Sequence, residues 1–260
     1  MTFQYLISAV GKDEKELVDG MHLQSDAVLV NQCDKDGEHS TTYDFGRVDI
    51  IEQSGRGVGL SRNTALENAV ADICLFSDED IEYYDNCVTK VTEAFSRHRD
   101  AAVIAFNIDV DARRRTYINE TERRVGYLNY GRYPAYALAV SRKKINEAGI
   151  RFSLLFGGGA RYSNGEDSLF LHDCLKKGLK IYAVTECLGR ENYRESTWFK
   201  GYTDKFFFDR GVLYHFLYGR AAALLGLRFL ISNRQTMLKD TTLHKAFGLL
   251  KKGIAEGKSI

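Results

Sequence analysis

Five apolar runs of strand length recur in the first 106 residues, at 3–10, 27–30, 48–51, 73–76 and 102–106. They are separated by helical periodicity or by polar, glycine-containing segments. Residues 60–70 and 86–98 carry the helical pattern, the latter with Val88, Val91, Ala94 and Phe95 on one face, and 15–23 is a further helical candidate. Strand alternating with helix predicts an α/β fold, a mostly parallel sheet covered by helices.

After residue 107 the pattern loosens into a charged, tyrosine-rich stretch, 109–133, that reads as a lid or acceptor-facing insertion. It recovers with a strand at 136–140, a helix at 165–177 and a strand at 181–184. Apolar helices rich in Arg and Lys follow at 212–231 and 243–252. A chain of 260 residues suits one core plus an appendage. The expected division is a sheet domain over 1–205 and a helical extension over 206–260.

The strand 73–76 runs straight into Ser77-Asp78-Glu79-Asp80, which sets two carboxylates two residues apart. In extended backbone such side chains point the same way, and the exit of a parallel strand is where these sheets hold a ligand. Paired carboxylates there suit a hard divalent cation, Mn²⁺ or Mg²⁺, able to bridge a diphosphate. A solvated acidic turn, with Asp85 as the N-cap of the next helix, is the competing interpretation.

Upstream, Gly55-Arg56-Gly57-Val58-Gly59-Leu60-Ser61-Arg62-Asn63-Thr64-Ala65 places alternate glycines before a helix start that bears an arginine. Close backbone approach, a helix N-terminus and a guanidinium together suit an anionic group, although the spacing is not that of a dinucleotide fingerprint. Downstream, Gly157-Gly158-Gly159 and then Asn164-Gly165-Glu166-Asp167 open a helix. Acidic residues in a first turn are ordinary dipole chemistry; beside a glycine loop, a carboxylate there can also act as general base.

In order and spacing these segments resemble the family 2 glycosyltransferases, inverting enzymes of GT-A fold, over roughly residues 3–185. The resemblance rests on the G-x-S-R-N-x-A segment, the DxD after an apolar strand, and the late G-E-D before a helix. It implies that Asp80 holds the metal on the donor diphosphate, and that Asp78 contacts the ribose or shares that metal. It further implies Asp167 as catalytic base, Glu166 at the acceptor, and Arg62 near the nucleotide base or diphosphate. The end of the second strand, where the family contacts the nucleotide base, offers Asn31 or Asp34. Members often add a histidine metal ligand after the late strand; residues 186–198 contain none, which leaves Glu191, Asn192 or Glu195 as substitutes.

The implied activity moves a sugar from a nucleotide-diphosphate donor, a UDP-sugar, to a saccharide or lipid-linked acceptor, in polysaccharide or glycoconjugate biosynthesis. A sugar-phosphate nucleotidyltransferase would share such a sheet, but Ala9-Val10-Gly11-Lys12 is too short for its glycine-rich basic signature. A non-catalytic nucleotide-sugar-binding scaffold would lose the base, and Asp167 is present.

A net charge of +1 with no basic stripe interleaved with aromatics argues against a nucleic-acid partner. Five cysteines without a CxxC pair are expected to be reduced thiols. With no basic, apolar leader over the first ten residues, the expected location is cytoplasmic. In the tail, His215, Arg220 and Arg228 interrupt the apolar run. Each charge would cost roughly 2.5 to 3.5 kcal/mol within a bilayer, so a spanning helix is not expected. Two alternatives remain for it: peripheral contact with the inner face of an anionic membrane, or packing on the catalytic domain or a second subunit.

Overall fold

The computed structural model describes residues 1–111, 115, 117–192 and 201–260. Glu195 and part of the 109–133 stretch lie outside the described residues. In chain order the first half comprises β1 (Phe3–Val10), α1 (Glu14–Met21), β2 (Ala27–Gln32), β3 (Gly37–Tyr43), β4 (Gly46–Gln53), α2 (Val58–Asn68), β5 (Ile73–Asp78), β6 (Ile81–Tyr83) and α3 (Cys87–Arg97). The second comprises β7 (Ala101–Asp109), β8 (Arg123–Val125), β9 (Leu138–Ser141), α4 (Arg142–Ala148), α5 (Glu166–Lys176), β10 (Lys180–Glu191), α6 (Asp204–Tyr218), α7 (Ala222–Ser232), α8 (Arg234–Met237) and α9 (Leu243–Gly257).

One mainly parallel sheet, in the order β3-β4-β2-β1-β5-β9-β7-β10-β6, forms the centre, with β8 paired to β10. β4, β2, β1 and β5 are mutually parallel, as are β7 and β10, while β9 lies antiparallel between β5 and β7. The chain steps outward from β1 to β2 and β4, then returns to the other side of β1 as β5. That reversal is a topological switch point, and the crevice beyond the carboxyl ends of β1, β2 and β5 is where such sheets bind ligands.

Strand alternation decides which side chains reach that crevice from each face. Leu6, Val28, Val30, Cys74 and Phe76 point toward α2, α5 and α6, meeting Ala65, Leu66, Phe170, Val212 and Leu213. Tyr5, Ile7, Leu29 and Leu75 point the other way, onto Leu17, Val18 and Met21 of α1 and Val91, Ala94 and Phe95 of α3. Two residues beyond Phe76 in the same strand, Asp78 therefore falls on the α2 side. Beneath it the rings of Phe76, Phe152 and Phe170 pack with centroids 5.0 Å (Phe76 to Phe152) and 4.3 Å (Phe152 to Phe170) apart. Each such aromatic pair adds about 0.5 to 1.5 kcal/mol beyond its buried area.

Several expected boundaries shift for identifiable reasons. β3 was not anticipated because Gly37–Tyr43 exposes most of its side chains and so lacks an apolar period; it is an edge strand, made regular by its antiparallel ladder to β4. The cap of α3 is Asn86, not Asp85, and it makes no side-chain cap hydrogen bond. Gly165 precedes its helix as a left-handed cap at φ 114°, a value an L side chain rarely adopts. The apolar run at 212–231 is two helices, because the chain turns at Gly219 with φ 51°.

The C-terminal helices pack on the sheet domain. Val212, Leu213 and Leu217 of α6 join the main core, and its other side forms a small cluster with Ala222, Leu230, Ala246, Leu250 and Ile254. α6 and α9 cross at backbone contact: a Cβ on Gly211 would meet the Leu250 carbonyl oxygen at 2.1 Å, and one on Gly253 the Phe208 oxygen at 1.9 Å. The outer side of α7 exposes Leu224, Arg228 and Ile231. Among the described residues, no helix is long and apolar enough to cross a membrane.

Candidate active site at the sheet switch point

Each residue of the Ser61-Arg62-Asn63 triplet at the start of α2 has a separate partner. Ser61 Oγ donates to Ser8 Oγ of β1 at 2.9 Å. Asn63 clamps the backbone of Phe152, accepting from its N–H at 2.8 Å and donating to its carbonyl at 2.9 Å. Arg62 donates to Asp78 at 2.8 Å and to Glu166 at 3.0 Å, with its guanidinium over the Phe152 ring. Gly59 lets the helix approach residue 153, whose carbonyl oxygen would lie 2.4 Å from a Cβ.

The Arg62 side chain is only 4% exposed, against 31% for Asp78 and 13% for Glu166. Burial alone would depress its proton affinity, but the Asp78 and Glu166 carboxylates hold it above the ordinary guanidinium value, so it stays charged. One cation thus ties the exit of β5 to the first turn of α5, 104 residues away in sequence.

Asp80 and Asp167 are the strained acids of the cluster. Burial, then the negative charges of Asp78 and Glu191, push Asp80 up to about 7. Burial, then the charge of Glu166, raise Asp167 far above its ordinary 3.8. Asp167 accepts from the Ser168 N–H at 2.7 Å, and Glu166 from the Gly165 N–H at 3.1 Å. Among the described residues, no group of three or more His, Cys, Asp or Glu side chains is arranged to hold a metal ion.

Glu79, between the two aspartates, faces away and orders the β1–α1 connection. It accepts from the Val10 N–H at 2.8 Å and pairs with Lys12 at 2.9 Å. Asn31 serves the same segment: its side-chain amide donates to the Lys12 carbonyl at 2.9 Å and accepts from the Lys12 N–H at 3.1 Å. Asn31 stands opposite Ala9 on β1, whose other neighbour is β5, so it is about two strand spacings, roughly 10 Å, from the Asp78 strand. Asp34, with a fully exposed side chain, pairs with Arg56 at 3.0 Å.

The structure therefore gathers Arg62, Asp78, Asp80, Glu166 and Asp167 at one end of the sheet, with Asn31 and Asp34 at the neighbouring end of β2. Asp167 also borders a cavity of about 310 Å³. Its walls are Ile108 at the end of β7, Val110 and Tyr117 beyond it, residues 131–136 with Arg132, Pro134 and Tyr136, the start of α5, and Arg210 of α6. Sequence reasoning missed Arg210, which lies in the middle of an apolar helix with no motif around it. Behind the cavity, Asp209 is 1% exposed and accepts from the N–H and hydroxyl of Ser163, holding the loop before α5 against α6.

The fold is similar to those of S. aureus TarS, residues 1–349. The complex of that protein with UDP-GlcNAc aligns at TM-score 0.62 and 15% identity, over 92% of this chain and 74% of that one. The UDP complex aligns at 0.63 and 13%, over 98% and 82%. No curated protein matches the chain. A sequence profile described as glycosyl transferase family 2 matches residues 15–153, which include Arg62, Asp78 and Asp80 and stop short of Glu166 and Asp167. That match spans more than half of the chain, which belongs to glycosyl transferase family 2.

Proposed function

We propose that this glycosyltransferase takes its sugar from a UDP-sugar bound at the β5 exit and passes it, with inversion, to an acceptor hydroxyl beside Asp167. The observation that carries this reading is the double ion pair of Arg62, which couples the donor-side Asp78 to the turn that presents Asp167. That the similarly folded TarS was captured with UDP-GlcNAc and with UDP supports the choice of nucleotide.

Asp167 accepts the proton of the acceptor hydroxyl while that oxygen bonds to the anomeric carbon. The bond from that carbon to the nucleotide diphosphate breaks on the opposite face, and its electron pair leaves with UDP. A single displacement inverts the centre. A base whose proton affinity is raised by burial beside Glu166 suits abstraction near neutral pH. Glu166, held by Arg62 and by the Gly165 N–H, keeps the turn in place, so acceptor contact falls to the cavity walls. Arg62, held by two carboxylates through its Nη atoms, braces the site rather than binding the nucleotide. At the end of β2, Asn31 orders the backbone on which the nucleotide base would rest, and Asp34 is the exposed carboxylate beside it.

Asp80 and Asp78 would hold Mn²⁺ or Mg²⁺. The fit rests on the raised Asp80: a carboxylate made reluctant to ionise by Asp78 and Glu191 is relieved by a nearby dication. Two protein carboxylates plus diphosphate oxygens are an ordinary set for such an ion, and Glu191, whose charge acts on Asp80, is a further candidate. When bound, the ion offsets the charge that grows on the departing diphosphate. For a lipid-linked acceptor, the exposed Leu224 and Ile231 beside Arg228 would rest on an anionic leaflet, which sedimentation with anionic vesicles checks.

Two variants test the assignment. Asp167→Asn should bind UDP-sugar as the wild type does and lose transfer, whereas Asp80→Ala should weaken binding and transfer together. Wild-type turnover by Asp167→Asn would remove the base from this account.

A further inference from the structure

Arg210 is the feature of the cavity that transfer to a neutral hydroxyl leaves unexplained. Its guanidinium lies near the rings of Phe206 and Phe229, 5.3 and 5.1 Å from their centroids. Its Nε is buried without a hydrogen-bond partner, and among the described residues the guanidinium has no ion pair. Aromatic faces attract a cation but cannot accept its in-plane N–H donors, of which arginine has five. Burial lowers its proton affinity from the ordinary guanidinium value, and Tyr214 and then the Asp167 carboxylate only partly oppose that. The residue is half-buried, so solvent reaches part of the guanidinium, but a charge without a counter-ion and a buried Nε without an acceptor are both features that folded proteins normally avoid.

Arg210 lines the same cavity that Asp167 borders, and the exposed Arg132 lines it too. Among the lining residues, two arginines stand against one carboxylate. Tyr117 and Tyr136 add aromatic surface to the walls. The hydroxyls of a neutral acceptor can accept from the Arg210 donors but leave its charge without a counter-ion. An oxyanion would meet those donors in the planar, two-point geometry that guanidinium offers phosphate and carboxylate alike.

We propose that the acceptor carries an oxyanion, phosphate or carboxylate, near its reactive hydroxyl, and that Arg210 binds it across the cavity from Asp167. This rests on the glycosyltransferase reading above, which it extends to the class of acceptor. Arg132 at the rim adds attraction at longer range. The C-terminal helices thereby contribute to acceptor selection, since Arg210 comes from α6 rather than from the sheet.

The test uses three matched ligands, glucose, glucose 6-phosphate and glucuronate, titrated by NMR into the whole protein in the presence of UDP and Mn²⁺. Wild type should bind at least one of the charged ligands about tenfold or more tightly than glucose, and comparing the two separates phosphate from carboxylate. Arg210→Gln should abolish the preference. Arg210→Lys, which keeps the charge and so guards against a folding defect, should reduce it several-fold because a point charge lacks the planar fork. UDP affinity should be unchanged in both variants. Equal binding of all three ligands by wild type, or a preference that survives both substitutions, overturns the proposal. Normal UDP-sugar binding alongside such a result would remove the Arg210 role alone. Loss of UDP-sugar binding with an intact, Arg210-dependent preference would instead sink the donor reading and keep the anion site.

Discussion

Arg62→Met isolates the interaction on which the site depends, because methionine keeps much of the length and apolar stem while removing the charge. The wild-type side chain is 4% exposed and serves two carboxylates at 2.8 and 3.0 Å. Removing one partner from a buried ion pair costs roughly 3 to 5 kcal/mol, mainly because the other charge stays behind uncompensated. Glu166, 13% exposed, would keep only the Gly165 N–H at 3.1 Å. Asp78, 31% exposed, would recover part of its solvation from water, so its share is discounted. The expected loss is therefore near the lower bound, about 3 kcal/mol at pH 7.5. Urea denaturation should show a lower midpoint at unchanged slope. Arg62→Lys should recover part of the loss, since an ammonium keeps the charge without reaching both carboxylates in the same plane. A loss below about 1 kcal/mol for Arg62→Met would refute the claim that this arginine holds the two motifs together.

Two other perturbations act through different physics. Asp80 titrates near 7 in the folded protein and near 4 when unfolded, so between those values the folded state binds more protons and gains stability as pH falls. Metal-free protein should therefore become more stable from pH 7.5 toward 5.5, Asp80→Asn should reduce that slope and leave the part that the raised Asp167 contributes, and Mn²⁺ affinity of the wild type should fall over the same interval. A slope unchanged in Asp80→Asn would assign it to another group. At the α6–α9 crossing, Gly253→Ala puts a methyl 1.9 Å from the Phe208 carbonyl oxygen, and backbone cannot yield as a side-chain tip does. About 1 to 3 kcal/mol should be lost. Gly248→Ala, in open space on the same helix, should gain about 0.5 to 1 kcal/mol in parallel denaturation curves. Equal effects at the two positions would contradict the close crossing.

The central strands were legible because β1, β2 and β5 are short, apolar and bounded by polar turns, a pattern that local chemistry alone produces. β3, β6 and β8 were not. The first is polar on both faces and the other two are three residues long, so their regularity comes from ladder partners distant in sequence. Motif positions were equally legible, whereas the partners of each motif residue were not. Arg62 stands out in its motif, but nothing local shows that folding brings Glu166, 104 residues on, within its hydrogen-bond reach. Likewise the sequence marks Asn31 near the end of β2 without showing that its amide closes on Lys12. Arg210 left no sequence signal, since it matters only through the cavity that α6 helps to wall.

Direct binding of the donor tests the central claim. Calorimetric titration of the wild type with UDP-, GDP- and dTDP-sugars in Mn²⁺, repeated with EDTA and with Asp80→Ala, should reveal binding of a UDP-sugar that weakens tenfold or more when either the metal or the Asp80 carboxylate is removed. Binding of none of these sugars, or UDP-sugar binding indifferent to both EDTA and Asp80→Ala, would contradict the account.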